Sequence, residues 1–99
     1  MKLYEIAHSR TGDKGNTLSI SLIPYREEDY KKLCADVTAE KVKDHLKDIV
    51  AGKIVRYELP NISSLLFVCN DALMGGVTTS LNMDAHGKTV SYALLEMEI

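Results

Sequence analysis

A chain of 99 residues with 45% hydrophobic and 26% charged side chains is typical of one small globular domain, here residues 1–99, and its composition excludes intrinsic disorder. The net charge of −2, from 14 acidic and 12 basic residues, lacks the basic excess that supports binding to nucleic-acid phosphates. No stretch approaches the roughly 20 apolar residues that span a bilayer. The sequence therefore predicts no nucleic-acid partner, no membrane segment and a cytoplasmic protein.

Two strands are predicted first. Alternating side chains at residues 2–8 and 17–23 indicate strands, and Pro24 ends the second because it has no N–H for a ladder. Residues 10–16 between them are polar or small and predict a wide loop. One face of the second strand is apolar and consists of Leu18, Ile20 and Leu22.

Two short helices are predicted next. The apolar residues of each follow a helical spacing: Tyr30, Leu33, Cys34 and Val37 in the first, and Ala39, Val42, Leu46, Ile49 and Val50 in the second. Thr38 is expected to cap the second helix, and Gly52 to end it. Cys34 and Cys69 are far apart in apolar patterns, which predicts two buried thiols in a reducing compartment rather than a disulfide.

The second half of the chain is predicted to contain a strand, a helix and a hairpin. Residues 53–59 alternate and end at Pro60. Residues 62–73 fit a helix, although Leu65–Cys69 also fits a buried strand, and the Gly75-Gly76 stop favours the helix. Val77, Thr79, Leu81 and Met83 then alternate before a turn at 84–88, where Gly87 is expected at positive φ, and a returning strand at 89–97.

The predicted order ββααβαββ indicates an α+β fold, a two-layer sandwich of a mixed or antiparallel sheet with helices on one face. If the two helices form a hairpin, loops 10–16, 60–61 and 84–88 share one edge of the sheet. If they form one bent helix, Gly75-Gly76 joins loop 10–16 instead, and right-handed crossovers favour this arrangement.

The best candidate for a binding site is the segment from His8 to Asn16. Two glycines three residues apart let backbone N–H groups converge on an anion, and two basic side chains add positive charge. The imidazole changes its charge near neutral pH, and the nearby carboxylate is placed to hold it or to act as a base. The candidate ligand-binding residues are His8, Arg10, Gly12, Asp13, Lys14, Gly15 and Asn16. The alternative is a wide polar hairpin with no ligand.

Other motifs give no further site. Gly12–Gly15 matches the GxxG loop of KH domains, but that loop joins two helices and this one joins two predicted strands. Asp84 and His86 lack further metal ligands and are read as a polar turn. No nucleotide-binding motif, activated thiolate or nucleophile elbow is present, so the sequence predicts no cofactor and no metal, and assigns no catalytic residue.

Four motifs, in order, resemble the small AtuA-like domain of the acyclic terpene utilisation protein A family, in its stand-alone form. They are His8–Asn16, Val55–Asn61, Ala72–Thr78 and Asp84–Lys88. The resemblance implies a ferredoxin-like α+β unit, or a variant of it, that accompanies a larger AtuA-family protein. It also implies a role in the breakdown of acyclic terpenes and branched acyl compounds, whose intermediates are coenzyme A thioesters.

Two functions follow from this resemblance. One is an accessory subunit that docks on the larger protein and helps to complete a site for an anionic acyl ligand. The alternative is a homo-oligomeric small enzyme or ligand-binding protein that acts alone. Whether the chain is itself an enzyme stays open.

One face of the sheet is expected to lack a cover within the chain, which predicts a homo-oligomer, most simply a two-fold dimer, or a complex with the larger protein. The residues expected on that face are Ile23, Ile54, Ala93, Leu95 and Met97. The residues expected in the core are Leu18, Ile20, Leu22, Leu33, Val42, Leu46, Ile49, Val55, Tyr57, Leu65 and Leu66.

Overall fold

Within the residues that it describes, the computed structural model contains four strands and three α-helices. It describes the backbone of residues 1–14, 17–47, 49–50, 52–70 and 80–99, and the side chains of these residues except 13–14 and 80–87. The strands are β1 (Ala7–Lys14), β2 (Thr17–Pro24), β3 (Ile54–Leu59) and β4 (Ser64–Cys69), and the helices are α1 (Tyr30–Asp36), α2 (Ala39–His45) and α3 (Ser80–Leu95). Short 3-10 turns cover Leu3–Glu5, Glu27–Asp29 and Pro60–Ile62.

The sheet is antiparallel throughout, with strand order β1-β2-β4-β3. Because β2 and β3 both pair antiparallel with β4, they run parallel to each other, and the helices α1 and α2 connect them. In the same way β4 and β1 run parallel on either side of β2. Starting at β4 and passing from α3 to β1, the order is βαββαβ, the ferredoxin-like pattern, here joined in circularly permuted order. The expected α+β sandwich of ferredoxin-like type is confirmed.

The first and last residues lie side by side, as this circular order requires. Lys2 forms an isolated bridge with Glu98, and the Leu3 N–H donates to the Met97 carbonyl at 2.9 Å. The Met1 amino group lies 3.0 Å from the Glu98 carboxylate. The connection from α3 back to β1 is thus replaced by noncovalent contacts between the ends.

All three helices pack on one face of the sheet, and this face contains the core. Leu18, Ile20 and Leu22 alternate inward along β2, where their neighbours on β4 are Cys69, Phe67 and Leu65. The helices contribute buried side chains to the same cluster, namely Leu33, Val37, Val42, Leu46, Val90 and Leu94. The Thr38 hydroxyl caps α2 by accepting from the Lys41 N–H at 3.1 Å, as expected.

Several elements of the structure differ from those predicted from the sequence. Residues 3–5 form a 3-10 turn, and the first strand begins only at Ala7 and runs to Lys14, so the wide loop at 10–16 is wrong. The helix expected at 62–73 is wrong, because residues 64–69 form β4, which is the buried-strand alternative. The final hairpin is also wrong, since residues 80–95 form α3. This helix runs through 84–88, where a turn and a glycine at positive φ were expected. Val77, Thr79 and the Gly75-Gly76 pair lie outside the described residues.

The predicted core is correct on β2, at the helices and at Leu65, and wrong on β3 and at Leu66, which lies on the other face of β4. Leu18, Ile20, Leu22, Leu33, Val42, Leu46 and Leu65 are fully buried, whereas Ile49, Val55 and Leu66 are half-buried. Tyr57 is 50% exposed, and Ile54 is buried instead. The register explains this, because Ile54 lies opposite buried Cys69 while Tyr57 lies opposite Leu66 on the other face. Ala93 and Leu95 belong to α3 and Met97 follows it, so of the residues expected on the uncovered face only Ile23 lies there.

The contact between the two ends gives a pH-dependent contribution to stability. A hydrogen bond from the Met1 amino group, followed by its charge, lowers the pKa of Glu98. A carboxyl with a lowered folded pKa stabilises the protein above its unfolded pKa of about 4.3, and this contribution is lost as the pH falls through the folded value. We expect Glu98→Gln to lower the melting temperature at pH 7 and to have no effect in acid well below both values. A constant difference across this pH range would contradict the assignment.

Candidate functional site

The sheet face opposite the helices is uncovered within the described residues and is polar on one side and apolar on the other. One row across it runs from Arg10 through Ser21 and Leu66 to Tyr57, and the register defines each step. The next row holds Gly12, Ser19, Val68 and Val55. We call this surface the open face. Its β1–β2 half carries a cation and hydroxyls, and its β4–β3 half carries aliphatic and aromatic side chains.

Arg10 is the most prominent charged group of the open face. It lies in β1 opposite Ser21 and is exposed. Among the described residues its guanidinium has no hydrogen bond and no ion pair. An exposed guanidinium with free donors can form bidentate hydrogen bonds with a carboxylate or a phosphate.

Gly12 does not supply an amide to an anion. In an antiparallel ladder, directly opposite residues are alternately hydrogen-bonded and non-hydrogen-bonded pairs. The Tyr25 N–H donates to the carbonyl of Ile6 opposite it, so every second pair from there is hydrogen-bonded, including Gly12 and Ser19. A Cβ at residue 12 would lie 3.1 Å from the Ser19 hydroxyl oxygen, and that hydroxyl donates to the Gly12 carbonyl at 3.3 Å. Gly12 thus permits close approach of Ser19, and the predicted cradle of glycine amides is wrong at this residue.

His8 lies apart from the tip of the hairpin. Asp13 lies five positions further along the same extended strand, about 17 Å away at about 3.4 Å per residue, so Asp13 cannot hold the imidazole. The imidazole instead stacks on Tyr25, with ring centroids 5.2 Å apart. The described candidate residues therefore form a strip along β1 and do not converge on one point.

The remaining candidate residues are placed only in part. Asp13 and Lys14 lie in β1 opposite Leu18 and Thr17. Gly15 and Asn16 lie outside the described residues. The register places Asn70, after β4, at this same end of the sheet, whereas the turn at 60–62 lies at the opposite end. The arrangement in which loops 10–16 and 60–61 share an edge is therefore wrong.

Arg56 has a role that the sequence did not reveal. From β3 it donates to the Cys34 and Val37 carbonyls at 2.7 and 3.1 Å, which satisfies acceptors at the C-terminal end of α1. Its side chain is only 19% exposed and also lies 3.3 Å from the Glu58 carboxylate. Arg56 therefore fastens α1 to β3, and this contact gives a structural reason for the arginine in the motif at 55–61.

Two serines form a polar contact between the sheet and the helix layer. The hydroxyls of Ser9 on β1 and Ser91 on α3 are hydrogen-bonded to each other, and Ser91 is buried. Nearby, His45 Nε2 lies 2.6 Å from the Ala93 carbonyl and links α2 to α3. His45 thus has a structural contact between the helices.

Neither cysteine forms a disulfide, as predicted. Cys69 is buried, and burial raises the pKa of its thiol to about 11, although Lys43 acts in the opposite direction. Cys34 is half-buried. Among the described residues, no group of three His, Cys, Asp or Glu side chains is positioned for a metal ion. Within the same residues, no helix combines the length and apolar character needed to cross a membrane.

Three grooves that the described residues form lie away from the open face. One of about 440 Å³ lies between α2 and the start of β3 and is lined by Ala39, Lys43, Lys47 and Ile54, among others. Two more adjoin Glu27 and Ser63 at the end of the sheet away from the hairpin tip. Since buried ligands require concave sites, the open face would need a cover to enclose one.

These features define a class of protein: a small ferredoxin-like α+β domain whose sheet face opposite the helices is uncovered within the described residues and carries one exposed arginine. Comparison with family models identifies the class further. The chain belongs to the AtuA ferredoxin-like domain family, whose model matches residues 1–99. Comparisons with curated proteins and with solved structures gave no match.

Proposed function

We propose that this chain is an accessory domain for a larger AtuA-family protein in the breakdown of acyclic terpenes or branched acyl compounds, and that Arg10 on the open face binds the anionic part of an acyl ligand. Membership of the AtuA family supports the partner and the pathway class. The exposed guanidinium of Arg10, which has no partner among the described residues, carries the ligand proposal.

The two halves of the open face fit an amphiphilic ligand. Arg10 and the hydroxyl of Ser21, which lies opposite it, offer hydrogen bonds to a carboxylate, thioester or phosphate. Three strand spacings, about 14 Å, separate Arg10 from Tyr57. The β4–β3 part of this distance is lined by half-buried aliphatic side chains, those of Leu66, Val68 and Val55. A branched acyl chain lying across the strands would bury that apolar surface.

A sheet face without a cover among the described residues would also account for a partner. Ligand sites bury most of the ligand in a concave pocket, and the described residues of the open face leave one side of a ligand in water. A larger protein placed over the face would close the site and cover Tyr57, Leu66 and Val68. Under this proposal, binding of ligand and partner is cooperative.

Substitution of Arg10 tests the ligand half of the proposal. We expect Arg10→Ala to weaken binding of a branched acyl coenzyme A thioester at least tenfold, because a charge-assisted hydrogen bond contributes about 1.5–3 kcal/mol. Wild-type binding should also weaken with added salt, since exposed charges are screened. Titration calorimetry of the chain together with its partner measures both effects.

Arg26→Ala is the matched control, because Arg26 is exposed and pairs only with Glu28 among the described residues. Thermal melting should show the same stability for both variants. Equal binding by the Arg10 and Arg26 variants, or salt-independent binding, would contradict the proposed role of Arg10.

A further inference from the structure

The outer edge of β3 carries backbone groups that have no partner among the described residues. In the β3–β4 ladder, the Asn70 N–H donates to the Lys53 carbonyl at 2.9 Å, which fixes the phase of the hydrogen bonds. Residues 55, 57 and 59 therefore bond to β4, and the N–H and C=O groups of Ile54, Arg56 and Glu58 point away from the sheet. Within the described residues no hydrogen bond pairs these groups. Such an edge is a template for another strand.

The side chains along this edge are self-complementary in one register. If a second β3 pairs antiparallel with Tyr57 opposite itself, Arg56 of each copy lies opposite Glu58 of the other. On the open face, Val55 then lies opposite Leu59. Pro60 lies opposite Ile54 and ends the ladder there, because it has no N–H. Opposite charges and apolar pairs directly across two strands are both stabilising.

The neighbouring registers lack this complementarity. Sliding one strand by two residues keeps the same backbone groups paired. In one direction this places Arg56 opposite Arg56, and in the other it places Glu58 opposite Glu58. Like charges directly opposite each other destabilise a strand pair. The other edge of the sheet, β1, presents His8 and Arg10 on the open face, so self-pairing there would bring basic side chains together.

We propose that two copies of this chain pair through the outer edges of β3, with Tyr57 at the two-fold axis, and form a continuous eight-stranded antiparallel sheet. The exposed position of Tyr57, which is 50% accessible, fits this role because its ring would stack near its own copy on the open face. Arg56 retains its hydrogen bonds to α1 and lies between its own Glu58 and that of the other copy. This interface uses the edge of the sheet and does not depend on the ligand proposed for Arg10.

A disulfide at the axis tests the register. Tyr57 would form a non-hydrogen-bonded pair with itself, in which the Cα atoms lie about 4.5 Å apart, within the range that a disulfide spans. We expect Tyr57→Cys to yield a disulfide-linked dimer under mild oxidation, as measured by non-reducing electrophoresis and intact mass. Leu66→Cys is the matched control, because it lies one strand further from the axis on the same face. The wild-type chain controls for Cys34 and Cys69.

Charge reversal gives a second, independent measurement. We expect Glu58→Lys, which places a lysine opposite Arg56, to raise the dimer dissociation constant about tenfold in sedimentation equilibrium. Glu28→Lys makes the same charge change away from β3 and should leave it unchanged. The amides of Arg56 and Glu58 should also exchange more slowly as the wild-type concentration rises.

The proposal is overturned if Tyr57→Cys cross-links no more than Leu66→Cys, or if Glu58→Lys and Glu28→Lys have the same dissociation constant. A wild-type chain that stays monomeric at all concentrations, with protection of the β3 amides only when the larger AtuA-family protein is added, would assign the edge to that protein instead.

Discussion

Replacing Leu46 with Ala is expected to lower the free energy of unfolding by about 2–5 kcal/mol, the range for a fully buried leucine truncated to alanine. Leu46 follows α2 directly and has no exposed surface. Its removal leaves a cavity between the helices and the sheet. Because small domains have a total stability of about 5–15 kcal/mol, the change should be obvious in urea unfolding.

Leu66→Ala is the matched control on the open face. Leu66 is half-buried, since no described helix covers its side of β4, so the same substitution should cost clearly less in the isolated chain. Equal losses for the two variants would mean that the open face is packed as tightly as the core. That result would contradict the assignment of the two faces.

Replacing Arg56 with Met is expected to lower the free energy of unfolding by about 2–4 kcal/mol, because two charge-assisted hydrogen bonds to α1 are lost and carbonyl oxygens lose their donor. The methionine retains much of the aliphatic packing. Urea unfolding at one fixed protein concentration measures the change. Circular dichroism should show, in addition, that helix content falls before the sheet unfolds.

Glu58→Gln is the control for Arg56. It removes the ion pair of Arg56 with Glu58, whose side chain is 57% exposed, but leaves the hydrogen bonds to α1. Exposed ion pairs contribute at most about 1 kcal/mol. A loss for Glu58→Gln as large as that for Arg56→Met would show that the ion pair, and not the contact with α1, is the stabilising interaction.

The sequence predicted β2 and the two short helices because their apolar residues repeat with a clear period, but α2 ends at His45, before the expected stop at Gly52. It failed at β4, since five consecutive apolar residues at 65–69 fit a buried strand and a helix equally well. Phe67 and Val68, which favour strands, and the preceding Pro60 were the signals for the strand. It also failed at α3, where Gly87 suggested a turn. The helical spacing of Val90 and Leu94, both buried, was the signal for the helix.

The binding role of the candidate residues stays a prediction, and only their placement can be compared with the structure. The sequence singled out Arg10 as part of a polar loop, but this segment is an edge strand. The residues of β1 on the helix-covered face, Ala7, Ser9 and Thr11, are small or polar. The strand therefore lacks the apolar alternation that marks a half-buried strand in a sequence. The separation of His8 from Asp13 follows from that extended strand. The contact of Arg56 with α1 depends on tertiary packing, and no local pattern reveals it.

The central claim is that this chain serves a larger AtuA-family protein, and affinity purification of the tagged chain from its own cells under native conditions tests it most directly. We expect mass spectrometry to identify a larger AtuA-family protein in the eluate. We also expect the activity of that protein on branched acyl substrates to fall when the chain is removed and to return when the chain is added back. An eluate without any AtuA-family protein, even after cross-linking, together with full activity of the larger protein in the absence of the chain, would contradict the claim.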